Sequence, residues 1–218
     1  MRRRLALFSM TILVLAGVAS AAVQKGDTEV EFLGGALSES GSGDTDFSAW
    51  FAAGDFNYFM SDYLSIGVGA VGTNMQLDGM ATLMQVDTGA GILNAIFAED
   101  RDITVYGLGV NVKLHLNPTQ RWVPYFGVQL KWVNAEVDTT GTYSAETGPG
   151  TGVYTTPLPF SENFDASGML WGPLGGLRVE LNERNDLCVE AQYHLWTGDI
   201  GDILDNGYGI FFGISHQF

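Results

Sequence analysis

The sequence predicts an all-β fold, a transmembrane antiparallel up-and-down β-barrel of about eight strands, and three observations lead there. Segments of about ten residues alternate apolar with small or polar side chains at period 2, the pattern of strands with lipid on one face and a crowded lumen on the other. After residue 21 no stretch is long and apolar enough to span a bilayer as a helix, so an integral chain must close into a barrel to satisfy its backbone N–H and C=O groups. The final strand, from Asn206, ends on the bare aromatic Phe218 and sets Tyr208, Ile210, Phe212, Ile214 and Phe218 on one face. Its other face carries Gly207, Gly209, Phe211, Gly213, Ser215 and Gln217.

The N-terminus comes first in the chain. Arg2, Arg3 and Arg4 precede the apolar run Leu5 to Val18 and the small-residue site Ala19-Ser20-Ala21, the layout of a cleaved secretory signal peptide over residues 1–21. Residues 22–218 then form the barrel domain. Cleavage removes three of the 10 basic residues and none of the 25 acidic ones, leaving 7 against 25, a formal charge of −18. Such a surface lacks the basic footprint that phosphate binding needs, which excludes nucleic acid as a partner. The single Cys188 cannot form an internal disulfide, although export would permit one.

Strands then follow in hairpins. The first, about Thr28 to Leu37, sends Val30, Phe32 and Ala36 one way and Glu29 and Glu31 the other; the second, about Phe47 to Met60, opposes Trp50, Phe56 and Tyr58 to Asp55 and Asn57. Beyond a short turn at Ser61 and Asp62, Leu64, Ile66, Val68 and Ala70 alternate with Ser65, Gly67, Gly69 and Val71. Residues 78–102 leave the strand count open. Ala81 to Val86 and Ile92 to Ala98 would serve a further hairpin, giving ten strands, but two strands extended above the membrane or a short extracellular element is preferred.

The middle of the chain alternates most cleanly, with Tyr106, Leu108, Val110, Val112, Leu114 and Leu116 against Gly107, Gly109, Asn111, Lys113 and His115. A turn containing Pro118 leads to Trp122, Pro124, Phe126, Val128, Leu130 and Trp132 facing out against Tyr125, Gly127, Gln129 and Lys131. Trp171, Pro173, Leu177, Val179 and Leu181 next oppose Gly172, Gly176, Arg178 and Glu180. After the polar turn Asn182 to Asp186, Leu187, Val189, Ala191, Tyr193 and Leu195 oppose Cys188, Glu190, Gln192 and His194. Tight joins near Ser61, Pro118 and Glu183 alternate with longer ones near Gly41, Asp87, Gly150 and Asp202, as short periplasmic turns alternate with extracellular loops. Trp122, Tyr125, Trp132, Trp171, Tyr193 and Trp196 fall near strand ends, where amphipathic rings suit the headgroup boundary.

These assignments aim Glu29, Glu31, Asp55, Lys113, Lys131, Arg178, Glu180 and Glu190 into a lumen that eight strands leave barely wide enough for side chains. Charges so confined must pair, so an internal ion-pair and water network is the expected arrangement and a narrow gated pore the alternative. An enzyme reading must run through His115, His194 or His216. Small outer-membrane lipid A deacylases carry His-x-Ser, whereas the chain reads His194-Leu195-Trp196, so the nucleophile is missing. Asp44, Asp46, Glu99, Asp100, Asp102, Glu162, Asp165, Asp199, Asp202 and Asp205 lie in or beside loops at spacings that match no dedicated Ca²⁺ loop. A solvated acidic surface is the preferred reading, loose divalent bridging to lipopolysaccharide the other, and no motif calls for a cofactor.

The signal peptide, the Trp122-Val123-Pro124-Tyr125-Phe126-Gly127 strand opening, the repeated Gly-x-Gly and the terminal Phe resemble the small outer-membrane β-barrel domain family of OmpA, OmpX and OmpW type, over essentially the whole mature chain. His216 departs from the aromatic or aliphatic residue more usual at its place in the terminal assembly signal. The resemblance implies residence in the outer membrane, contact with its lipid and lipopolysaccharide, delivery by periplasmic chaperones, and insertion by the barrel-assembly machinery through Tyr208, Ile210, Phe212, Ile214 and Phe218. No peptidoglycan-binding segment follows, so cell-wall anchoring is not implied. A non-enzymatic envelope-structural or surface-interaction role through the acidic loops is the expected function. The alternative is a narrow channel or lateral transporter of small hydrophobic molecules, as the OmpW type implies, with Pro124 and Pro173 breaking ladder pairing; a lipid-modifying enzyme comes third.

Overall fold

The computed structural model describes residues 24–39, 46–89 and 91–218. The expected signal peptide, residues 1–21, and the loop positions Gly41 and Asp44 lie outside the described residues. Eight antiparallel strands follow one another around a closed ring: β1 (Thr28–Glu39), β2 (Asp46–Ser61), β3 (Leu64–Asp87), β4 (Ile92–His115), β5 (Trp122–Ala145), β6 (Leu158–Asn182), β7 (Asn185–Gly198) and β8 (Gly207–Gln217). Closure comes from β1 pairing with β8, Glu29 opposite Gln217 through Glu39 opposite Gly207. The ten-strand alternative is therefore incorrect. Residues 78–102 extend β3 and β4 as one long hairpin, because Met80 to Asp87 pairs with Glu99 to Ile92 after a single bulge past Leu77.

Tight turns close one end of the barrel. At the β4–β5 turn Asn117 adopts φ 54, a left-handed conformation its short polar side chain tolerates, and Pro118 follows it. Trp122 and Trp132 lie ten residues apart on the outer face of β5, about 33 Å along a strand and about 25 Å of height once the strand tilts, which is the thickness of the apolar band. Between these levels the outer face is exposed and apolar, with Phe32, Phe56, Val68, Leu108, Val110, Phe126, Val128 and Phe212 among its residues.

The wall is uneven in height. β5 runs thirteen residues past Trp132 and β6 begins thirteen before Trp171, while β7 ends five past Tyr193 and β8 begins at Gly207. Half of the ring, β3 to β6, therefore stands above the membrane as a sheet. A 3-10 turn, Asp199–Asp202, folds over the lower half and buries Ile200, with Leu204 buried behind it.

Candidate functional site

The lumen holds two layers. In the periplasmic half, Glu29 and Glu31 on β1, Asp55 on β2, Lys113 on β4, Lys131 on β5, Arg178 on β6 and Glu190 on β7 are all buried. Lys113 Nζ bridges Glu31 and Glu190, the latter at 3.1 Å. Arg178 binds Glu29 and sets its Nε 3.3 Å from Asp186 Oδ2, an ion pair whose angle is too poor for a hydrogen bond. Lys131 lies in the field of Asp55 and Glu190. Glu180, half-buried, sits opposite Asp186 at the periplasmic end.

Neutral groups tie these charges together. Asn57 donates to Glu29 at 3.1 Å and to Glu31 at 3.4 Å; Tyr125 O–H donates to Glu190 at 2.8 Å. Gln192 donates to Glu190 and accepts from Gln129 at 2.8 Å, with His194 Nε2 on the same Gln192 oxygen at 2.8 Å. The glycines opposite make the room: a Cβ on Gly69 would sit 1.8 Å from Asp55 Oδ1, and one on Gly109 2.6 Å from Lys131 Cγ.

Sequence reasoning missed Asp186, assigned to a turn, although it shares parity with Cys188 and Glu190 and begins the inward face of β7. It also missed a pairing. Ser65 Oγ lies 3.0 Å from His115 Nε2, so a serine does stand beside a histidine, though not beside His194. His115 Nδ1 has no partner among the described residues, Ser65 is fully buried, and the orienting acid of a triad is missing there. Nor does any group of three or more His, Cys, Asp or Glu among the described residues suit a metal ion.

The outer half of the lumen is apolar. Leu33, Phe51, Val71, Met75, Ile103, Val133, Leu170, Trp196 and Phe211 form one buried cluster, capped by Ile200 and Leu204. Phe51 packs on Phe211 at 4.8 Å and on His194 at 5.2 Å between centroids, at the junction of the layers. Two of the aromatics expected at the headgroup boundary are therefore in the lumen. Tyr125 and Trp196 have inward parity on β5 and β7, whereas Trp122, Trp132, Trp171 and Tyr193 face outward. The terminal-strand residues Tyr208, Ile210, Phe212, Ile214 and Phe218 are exposed on the outer face.

Above the membrane the protein is acidic. Residues 72–106, 134–170 and 197–206 carry five, five and three acidic residues with Arg101 as the sole base, and Arg101 is already paired with Glu99 at 2.5 Å. A groove of about 370 Å³ on the outer wall is lined by Tyr106, Asn134, Glu136, Asp165, Ser167 and Asp199. In the β5–β6 loop, the Glu146 carboxylate accepts from Asn94 N at 3.0 Å, Asn94 Nδ2 at 2.8 Å and Gly152 N at 2.9 Å. The Asn94 backbone bond, then that of Gly152, holds its carboxyl below the usual glutamate value.

Solved structures with this fold include OprG from Pseudomonas aeruginosa, 13% identical over 92% of this chain and 99% of that one with a TM-score of 0.50. Ail, the attachment invasion locus protein of Yersinia pestis, is 12% identical over 89% and 100%, with a TM-score of 0.45. A search of curated protein sequences gives no match. The model of the outer membrane protein beta-barrel domain matches residues 10–218, so this chain, an outer-membrane protein, belongs to that family.

Proposed function

We propose that the protein is a closed, non-enzymatic barrel whose work is done on its outer surface, by the acidic sheet that β3 to β6 raise above the membrane. One observation carries this reading: the lumen is filled by the ion-paired chamber below and the apolar cluster above, under the cap of Ile200 and Leu204. The buried Ser65 and the unoriented His115 argue against chemistry in the lumen.

Partners follow from the exposed surfaces. The apolar band fits outer-membrane lipid, and the acidic rim fits lipopolysaccharide phosphates bridged by divalent ions. The lipid-facing residues Tyr208, Ile210, Phe212, Ile214 and Phe218 fit recognition by the barrel-assembly machinery after delivery by periplasmic chaperones.

The test is conductance and uptake of a hydrophobic solute by vesicles holding the refolded mature chain, with heat-modifiable gel migration as the check on folding. A folded, impermeable barrel is expected; discrete conductance or uptake would overturn the reading. One observation favours lateral passage as a second reading: the β6–β7 ladder skips Gly172 and Pro173 between Trp171 and Leu174. Against it, a Cβ on Gly172 would lie 1.9 Å from Tyr193 O, so the strands still touch there. Pro124 leaves no gap, since its carbonyl accepts from Leu116 N at 2.7 Å.

A further inference from the structure

The β3–β4 and β5–β6 hairpins end in a crown that is almost uncharged. Residues 81–98 carry one charged side chain, Asp87, and residues 143–161 carry one, Glu146, which is buried in its loop. Apolar side chains are exposed on both faces of this crown. Opposed residues of an antiparallel ladder share a face, so Leu83 and Ile96 stand together on the convex side, continuous with the outer wall, and Ile92 has the same parity. Met84 and Val86 stand on the concave side, continuous with the lumen, where Leu158 joins them opposite Tyr143. All six are 40–58% exposed, so water reaches both sides of the sheet.

The side chains along the wall are ordered symmetrically about its charges. Going up from the membrane, the apolar band ends at Trp132 and Trp171, and an exposed acidic collar follows with Asp100, Asp102, Glu136, Asp138, Glu162 and Asp165. Above most of the collar a second aromatic row crosses the sheet, with Phe97 stacked on Tyr143 at 6.0 Å and edge-on to Phe160 at 6.2 Å. The crown comes last. Apolar, then aromatic, then charged is the order that seats a barrel in its own bilayer, and above the collar the same order runs in reverse. Ala145 lies thirteen residues past Trp132, about 43 Å along the strand and roughly 30 Å of height at the tilt of a barrel, which holds the crown clear of its own membrane.

We propose that the crown seats in the surface of a second, facing bilayer rich in phosphatidylcholine, whose outermost charge is the positive ammonium of its headgroups. Apolar side chains on both faces need surroundings that wrap the sheet, as an acyl boundary does; a protein groove or the sheet of a second copy covers one face and leaves the other wet. The collar repels anionic surfaces, because its only base, Arg101, is already held by Glu99, and it complements a layer of ammonium groups. The aromatic row lies between collar and crown, where ring faces attract quaternary ammonium. The proposal rests on the outward-acting reading of the barrel, yet the two fail separately: solute flux would overturn the closed barrel and leave the vesicle binding below standing.

The test holds the refolded mature chain in a non-ionic amphipol and floats it with vesicles of phosphatidylcholine or of phosphatidylglycerol, with heat-modifiable migration as the check that each variant is folded. The chain is expected to float with phosphatidylcholine and to need about ten-fold more lipid for half-maximal flotation with phosphatidylglycerol. Leu83→Asn with Ile96→Asn strips the convex face, and Met84→Asn with Val86→Asn the concave one; each pair should raise the phosphatidylcholine needed by about five-fold or more. Bromine atoms on the acyl chains of the vesicles should quench Ile92→Trp beyond any quenching of the wild type, whose five tryptophans all lie in the barrel. No flotation, equal flotation with the two lipids, or an Ile92→Trp emission that brominated lipid leaves unchanged would overturn the proposal. Loss from one pair only would assign the crown to a one-faced protein groove and overturn it too. So would self-association without vesicles that either pair abolishes, which would assign the crown to a second copy.

Discussion

The two halves of the lumen solve the same packing problem with opposite chemistry. Below, carboxylates, lysines and an arginine fill the space and must satisfy one another; above, Phe51, Val133, Leu170 and Phe211 fill it with no polar atoms to satisfy. A charged layer is costly to desolvate and gives back that cost only through its geometry, so its stability is concentrated in a few atoms. An apolar layer spreads its stability over many contacts, and losing one side chain leaves the rest in place. The first layer is brittle and the second graded.

Breaking the brittle layer at its centre should have the largest effect. Lys113→Met strands Glu31 and Glu190 together, and about 3–5 kcal/mol of stability should be lost, read from urea unfolding of the barrel in vesicles followed by heat-modifiable migration. Adding Glu190→Gln should restore part of the loss, since one of the two stranded charges is then gone. An unchanged midpoint in the single variant would mean that the chamber is held by hydration and not by pairing.

These layers were not equally legible in the sequence. Glu29, Glu31, Lys113 and Glu190 stand out because a charge on an otherwise apolar alternating strand has only one face to occupy. Asp186 was hidden because it adjoins a run of turn-forming residues, where a carboxylate reads as solvated. The apolar layer was hidden for the opposite reason: around Phe51, Val71 and Val133 both faces of the strand are apolar, and alternation carries no contrast. Parity alone would have placed Tyr125 and Trp196 inside, but proximity to a strand end suggested the boundary. The eight-strand ring was legible, whereas the height of β3 to β6 depended on residues 78–102, whose period survives a bulge that shifts the register by one.

The graded layer is probed by Phe51→Ala. Removing the ring from contact with Phe211 and His194 should cost about 3 kcal/mol, while Phe51→Leu, which refills most of the volume, should cost about 1 kcal/mol. Urea midpoints that rank in this order identify a packed layer; equal losses would identify a specific aromatic role at the junction. A smaller effect sharpens the boundary between the layers from the charged side. Gly69→Ala places a methyl group against Asp55 Oδ1 and the Gly54 carbonyl, and about 2 kcal/mol should be lost as the strands shift.

The smallest effect belongs to Glu146, which lies outside both layers and shows what a lone carboxylate does when backbone amides, and not lysines, hold it. Bonds from Asn94 on β4 and from Gly152 in its own loop outweigh its desolvation, so its carboxyl stays charged below the usual glutamate value. A lowered folded value means that its stabilisation is fully present above the unfolded glutamate value of about 4.3 and is lost as the pH falls through the folded one. Exchange protection at the Asn94 and Gly152 amides should therefore persist from pH 7 to 5 and fade only below about pH 4, with little change in the barrel's own unfolding. Glu146→Gln should weaken that protection at every pH in this range and abolish its acid step, because the single amide oxygen can take the Asn94 bonds or the Gly152 bond but not both, and carries no charge. Protection that falls between pH 7 and 5 would show instead that the loop is governed by the surrounding acidic rim, and the contrast with the ion-paired lumen would then be one of screening, with solvent and not the protein setting the charge.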